Sequence, residues 1–450
     1  MSRDPIVAWH ELLDQGLAAE TDGWLAARQH GSGMAFGDRP LCTVLRPRFL
    51  TPAAYHELRT MADSLLGALT TAGEAALADR EFRGAFRLTD WEETLIARIP
   101  RLPALLPFAR LDAFVDPDTG IPWLTECNGE TPAGTGYADT LSEIFLAAPP
   151  MHHFAREWTV RPLPGMPHLL GVLLDAWHAF GGGTNPPSIA IIDWDDVPTV
   201  SEFRLCAAYF DKMGVPCRIT TPEALSYDGR VLRDHDGTPI TLVYKRVLLH
   251  ELVERSGTEH PLLQAVADGV TCMVNPVHGK PLHKKAALAV LTDERHSALF
   301  SAAEQRAIRR HIPWTRVVEE RTTEMDGATI DLLPWAAEHR DRLVLKPNDD
   351  YGGSGIVLGW EVDQAVWEAA LRRALTKSYV VQQRIALPEE PFPAMAGGSV
   401  VFDRRIVDIA PFCWQGRYSD SCLTRISTST LVNVTAGGGS TVPTFVVEPR

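Results

Sequence analysis

FARLDAFVDPDTGIPWLTECNGE, residues 108–130, reads as two strands joined across Asp116 to Gly120, a turn containing Pro, Asp and Gly of the kind that reverses a chain. Side chains two apart on a strand share a face. Arg110 and Asp112 therefore point the same way from the first strand, as do Glu126 and Asn128 from the second. A turn centred near Asp118 makes these one face. Two carboxylates and an amide oxygen suit a hard cation such as magnesium, which takes oxygen ligands and borrows others from nucleotide phosphates. Arg110 beside them has the fork to hold a phosphate oxygen. The competing reading of the same four residues is a solvated outer hairpin face.

Directly after the hairpin, Glu130-Thr131-Pro132-Ala133-Gly134-Thr135-Gly136-Tyr137 packs a proline and two glycines together. That composition suits a backbone that must approach a substrate closely, and a helix over YADTLSEIFLAA follows. Upstream, the first hundred residues read mainly as helices, with Thr51-Pro52 and Thr89-Asp90 as caps and first-turn residues. Downstream, RPLPGMPHLLG reads as a connection. SIAIIDWDD then reads as a buried parallel strand, SEFRLCAAYFDKMG as a helix, and VPCRITTPEAL and TLVYKRVLLHEL continue the alternation of a small doubly wound sheet over 165–275.

The next landmark is the strand RLVLKP, which ends at Lys346-Pro347 and opens into Asn348 to Gly355, with Gly352, Gly353 and Gly355 around Ser354. Bare amides in such a loop can cradle phosphates and Lys346 can add a point charge, although turns are the commoner use of glycines. No Gly-Lys-Ser/Thr follows, so this is not a Walker A loop, and no Gly-x-Gly-x-x-Gly opens a helix. HELVE at His250 lacks the second histidine of a zinc protease, since Glu254 stands in its place. Lys284 and Lys285 read as solvated lysines opening the helix KKAALAVLTDE, and Gln382 and Gln383 as the surface of a strand near YVVQQRI. Further strands are expected at SVVFDRRIVDIAPF, TLVNV and TFVVE.

At 450 residues, 45% apolar and 22% charged, the chain has the composition of a folded protein of two or three packed units. Its formal net charge of −14 argues against general nucleic-acid binding. The start carries acids where a signal peptide needs an apolar run, and no apolar run is long enough to span a membrane, so the expectation is a cytoplasmic protein. Seven cysteines without a CxxC pair suggest neither zinc nor a disulfide framework; Cys127 reads as strand filler rather than a nucleophile.

Taken together, these motifs resemble the ATP-grasp ligases, specifically the circularly permuted branch that includes the synthetase domain of glutathionylspermidine synthetase. FARLDAF followed by LTECNGETPAGTGY is similar to that branch's Arg-x-Asp element, Glu-x-Asn and Pro-containing turn, and the resemblance spans roughly residues 100 to 450. It implies magnesium ligands at Asp112, Glu126 and Asn128, and Arg110 steadying the transferred phosphoryl group. It also implies nucleotide contacts from Lys285, Lys346, the loop Gly352, Gly353, Ser354 and Gly355, and a hinge at Gln382 and Gln383. TRISTSTLVNVTAGGGS resembles the closing Arg-containing strand, Asn and glycine triplet, which implies that Arg425 faces phosphate. The metal-bearing strands precede the lysines and glycine loop, and that order suggests permutation.

The implied architecture is α/β: a helical segment over 1–100, the metal-binding part of the ATP-grasp domain over 101–164, the doubly wound subdomain over 165–275, and the nucleotide-binding part over 276–450. The implied reaction joins a small-molecule or peptide carboxylate to an amine with ATP and Mg2+, through an acyl phosphate. An ATP-dependent phosphotransferase and a non-catalytic nucleotide-binding protein are the alternatives. Cys127 and Gly129 within the metal motif, and the first hundred residues, depart from the pattern, so the substrates stay unnamed.

Overall fold

The computed structural model describes residues 4–36, 39–350, 352–430 and 439–450. Its acidic hairpin pairs Phe108–Val115 with Pro122–Asn128, setting Arg110 opposite Asn128 and Asp112 opposite Glu126, with a bulge between Asp112 and Ala113. The sheet continues through Ser399–Trp414, Tyr418–Ser427 and Gly439–Val442, and Glu389–Ala396 pairs with the front of the long strand. Alternation divides the hairpin as its sequence dictates. Ala109, Leu111, Ala113, Leu124 and Cys127 are buried in one core with Leu58, Leu65, Leu69 and Ala72 of the helix Pro52–Ala78. Arg110 and Asp112 face the other way. A one-residue slip would drive both charges into that apolar core, so burial fixes the register.

A second sheet is parallel throughout, in the order Cys272–Val274, Leu242–Lys245, Ile189–Ile192, Cys217–Thr220. Ile189–Ile192 is buried at all four positions, as expected of a strand covered on both faces. From it the chain passes through the helix Val200–Lys212 to the strand on one side, then returns to Leu242–Lys245 on the other. A third sheet is antiparallel, in the order Thr315–Val317, Tyr379–Gln383, Leu343–Pro347, Val357–Leu358. The helix Gln364–Thr376 shares a core with it through the fully buried Trp367.

The expected caps are present. Thr51 accepts the Ala54 N–H, and Thr89 with Glu92 forms a reciprocal capping box at Asp90–Arg98. The stretch read as a connection, RPLPGMPHLLG, is not one: Arg161 and Pro162 end the strand Trp158–Pro162, and Met166 opens the helix Met166–Phe180. The cap of that helix is tertiary, since the Asp139 carboxylate accepts the N–H groups of Gly165 and Met166 at 2.8 Å, and Pro167 in its first turn is the one local start signal. The first hundred residues are mainly helical, yet Arg48–Leu50 pairs parallel with Thr444–Pro449. The strand expected at TLVNV, and Asn433, Gly437 and Gly438 of the closing motif, lie outside the described residues apart from Thr430. Among the described residues no helix is long and apolar enough to cross a membrane.

Candidate functional site

One cleft lies between the polar face of the hairpin and the third sheet. It brings together Arg110, Asp112, Glu126, Asn128 and Arg425 on one side with Lys346, Gln382, Gln383, Gly352 and Gly353 on the other. Lys285 sits at its edge, with Nζ donating to the Asp350 carbonyl at 2.6 Å and lying 3.2 Å from Glu126 Oε1. Ser354 and Gly355 do not line the cleft, and Ser354 is exposed. Tyr351 lies outside the described residues. Gly352, Gly353 and Gly355 have φ of 65°, 80° and 67°, a left-handed backbone in which glycine avoids the Cβ penalty.

A row of alternating charge runs across the hairpin sheet. Arg110 grips Asp112 with its fork, Nε to Oδ1 at 2.7 Å and Nη2 to Oδ2 at 2.9 Å, and its Nη1 donates to the Ala133 carbonyl. Arg425 reaches the same Asp112 Oδ2 at 2.8 Å and pairs with Asp408, opposite it in the sheet. Burial works to raise the Asp112 carboxyl, but Arg110 and Arg425 outweigh it and hold the group at about 2. Burial also acts upward on Glu126; Lys285 counters it, Asp112 works with it, and Lys346 brings the net shift below the usual carboxylate range. Asp408 goes the other way, pushed up by burial in spite of Arg425.

This donor set fits a hard cation. Asp112, Glu126 and Asn128 present oxygen donors on one face of a hairpin, and the Asn128 Nδ2 donor is buried with no hydrogen-bond partner. An unmatched N–H inside a protein costs free energy unless an acceptor such as a phosphate oxygen completes it, while the amide oxygen stays free for the cation.

Across the cleft, Lys346 Nζ donates to Gln382 Oε1 at 2.7 Å and to the Thr125 carbonyl at 3.2 Å. Gln382 Nε2 donates to Thr315 Oγ1 at 3.0 Å, and that hydroxyl donates to the Pro313 carbonyl. The buried amide thus has both ends engaged, and Gln382 positions Lys346 rather than lying on a strand surface.

Sequence reasoning missed two features. Asp408 lines the cleft; its signal was an acid inside the apolar run IVDIAPF. The other is a buried ion network behind the hairpin. Lys284 and Lys285, read as solvated, are 3% and 5% exposed. Lys280 Nζ lies 2.6 Å from Glu130 and 2.9 Å from Asp349, while Lys284 Nζ lies 2.8 Å from Glu92 and 3.3 Å from Asp349. Glu130, His283 and Asp349 approach one another as metal ligands would, but the Lys280 ammonium already occupies the cation's place. The network ties Asp349, at the root of the glycine loop, to the end of the hairpin. Cys127 is buried beside Leu111 in the helix-facing core, and burial pushes its thiol well above the usual range, so it fills a strand as expected.

No family model matches the sequence, and no curated protein matches it. Among solved structures, the glutathione synthetase-like effector GSS30 from Globodera pallida, in its apo form, is similar over 99% of this chain and 98% of its own, at a TM-score of 0.60 and 14% identity. D-alanyl-alanine synthetase A from Vibrio cholerae aligns over 50% of this chain and 68% of its own at a TM-score of 0.27 and 13% identity. D-cycloserine synthetase DcsG aligns over 58% and 74% at 0.29 and 18%. These two alignments are too loose to bear weight, so the assignment rests on the end-to-end likeness to the effector. On that likeness, the chain has the fold of a glutathione synthetase-like protein.

Proposed function

We propose that this chain is an ATP-dependent carboxylate–amine ligase with a circularly permuted ATP-grasp domain, in which residues 101–164 carry the metal site and 276–450 the nucleotide site. The observation that carries this reading is the convergence in one cleft of the paired-carboxylate hairpin, Lys346 and two glycines of the 348–355 loop. The fold likeness supports it, as does the order of the motifs along the chain.

In this reading Lys346, Lys285 and the loop amides bind nucleotide phosphates. Asp112, Glu126 and Asn128 hold magnesium, which when bound neutralises phosphate oxygens. A substrate carboxylate oxygen attacks the γ-phosphorus of ATP and ADP leaves; an unprotonated amine then attacks the acyl carbon, inorganic phosphate leaves, and the proton shed by the amine nitrogen passes to that phosphate. Arg110 and Arg425 stabilise the charge on the transferred phosphoryl group. The glycine loop covers the acyl phosphate and keeps water from it.

The test is a screen of ADP release with paired carboxylates and amines, followed by mass measurement of the condensed product. Asp112→Ala and Glu126→Ala are expected to abolish magnesium-dependent turnover. Near-normal turnover in either folded variant overturns the metal assignment, and a stable phosphorylated product in place of an amide overturns the ligase.

A further inference from the structure

Resting on the reading of the cleft as a nucleotide site, we propose that Asn348 is a positioning residue of that site. It caps the helix Ala286–Thr292 from another part of the chain, and so sets Lys285, rather than Lys284, against Glu126 and the glycine loop.

The helix has no cap of its own. The N–H groups at a helix start find no partner within the helix, and Lys285, at the cap position, makes no capping bond with its side chain; an ammonium has only donors to offer. Asn348 supplies both missing acceptors. Its carbonyl accepts the Lys285 N–H at 2.9 Å, and its Oδ1 accepts the Ala286 N–H at 2.8 Å. Its other polar groups are engaged as well. The backbone N–H donates to the Ser378 carbonyl at 2.9 Å, next to the strand Tyr379–Gln383, and Nδ2 donates to the Phe86 carbonyl at 3.1 Å. The bond to Phe86 decides which way the amide lies and leaves its oxygen for Ala286. Asn348 is 2% exposed, so none of these groups can turn to solvent instead.

The cap fixes a rotation. An α-helix turns about 100° per residue, so a helix started one residue earlier or later would exchange the directions of the two lysines. As the helix starts here, Lys284 Nζ meets Glu92 at 2.8 Å and Asp349 at 3.3 Å. Lys285 Nζ lies 3.2 Å from Glu126 and donates to the Asp350 carbonyl at 2.6 Å. Asn348 opens the loop that carries the glycines, and through Ser378 it is joined to the strand of Gln382. One residue thus ties the loop, the cleft lysine and that strand together.

The same bonds give the front of the chain a task at the site. The short turn Gly84–Phe86 ends at Arg87, which is left-handed with φ of 58°, and carbonyls at such an end lack partners within the turn. The Phe86 carbonyl meets Asn348, and the Arg87 carbonyl meets Lys284 Nζ at 3.4 Å. Phe86 is itself fully buried in the core of the helix Pro52–Ala78. Residues 84–92, with Glu92 at their end, are therefore built into the support of the lysine pair.

The experiment is calorimetric ADP titration of the full chain as wild type, Asn348→Ala, Lys285→Met and the double variant, with a denaturant midpoint for each. Lys285→Met is expected to weaken ADP binding about tenfold, the loss of one charged hydrogen bond. Asn348→Ala is expected to weaken it about three- to tenfold beside Lys285 but less than about twofold beside Met, because its effect passes through that lysine. The fall in its denaturant midpoint persists in both backgrounds, which separates positioning from stability alone. Asn348→Asp keeps an acceptor for the Ala286 N–H and is expected to stay within about threefold of wild type. Unchanged affinity in Asn348→Ala, or an equal loss in both backgrounds, overturns the proposal. So does an Asn348→Asp protein as weak as Lys285→Met, a comparison that stands even where Asn348→Ala does not fold. No ADP binding by the wild type, or full affinity in Lys285→Met, overturns the reading of the nucleotide site instead.

Discussion

Lys346 offers a test in which pH is the perturbation. Burial lowers its pKa to about 8; Glu126 and Asp112 raise it and Lys285 lowers it further. Between pH 7 and pH 9 the protonated share of such a group falls from about nine-tenths to about one-tenth. A charged hydrogen bond contributes about 1.5–3 kcal/mol, roughly ten- to a hundredfold in affinity. ADP association measured calorimetrically without metal should therefore fall about tenfold from pH 7 to pH 9, steepest near 8. The terminal phosphate titrates near about 6 and is already ionised across that range. Lys346→Arg should keep the affinity at pH 7 and lose the alkaline fall; Lys346→Met should lose both. An alkaline limb unchanged in Lys346→Met would refute the reasoning. The linkage sign is independent of nucleotide. The unfolded chain binds more protons than the folded one between about 8 and 10.5, so this lysine's contribution to stability rises with pH across that window.

Asp112 titrates in the opposite sense: its folded pKa of about 2 lies below the ordinary aspartate value of 3.8. The stability it contributes is present above about 4 and lost as pH falls toward about 2, a difference of about 2 kcal/mol, and Asp112→Asn should lack that slope in acid denaturation. Gln382→Leu removes the acceptor that fixes Lys346 and should weaken ADP binding about three- to tenfold at pH 7 with little change in the far-UV spectrum; unchanged affinity would show that the Thr125 carbonyl alone suffices. Lys280→Met leaves Glu130 and Asp349 facing each other and should lower unfolding free energy by about 3–5 kcal/mol, read as a shift of the denaturant midpoint.

What the sequence disclosed follows from how local each signal is. A strand shows its two faces with period two, so Arg110 and Asp112 could be separated from Leu111 and Ala113 without knowing any partner. Thr51 and Thr89 announced their helices because a cap acts within three residues. The Met166 helix went unread because Asp139, 26 residues away, caps it. The burial of Lys280 and Lys284 was equally hidden, because the acids that make it tolerable, Glu92, Glu130 and Asp349, come from three other segments of the chain.

The charge row at the centre of the cleft shows why an acid or an arginine in a strand is hard to assign singly. Asp408 and Arg425 come together only because Ser399–Trp414 and Tyr418–Ser427 are neighbours. They meet Asp112 only because the long strand also pairs with Phe108–Val115. Once in register, Asp408, Arg425, Asp112 and Arg110 alternate in sign, and each charge offsets the desolvation of the next. Asp112 therefore spends its oxygens on two guanidiniums. An anionic phosphate is the group that can take over those guanidiniums, and a cation is the group that can then take the freed carboxylate. In the proposed reaction, phosphate and cation would thus favour one another's arrival, a coupling that belongs to the row of four rather than to any one of its residues.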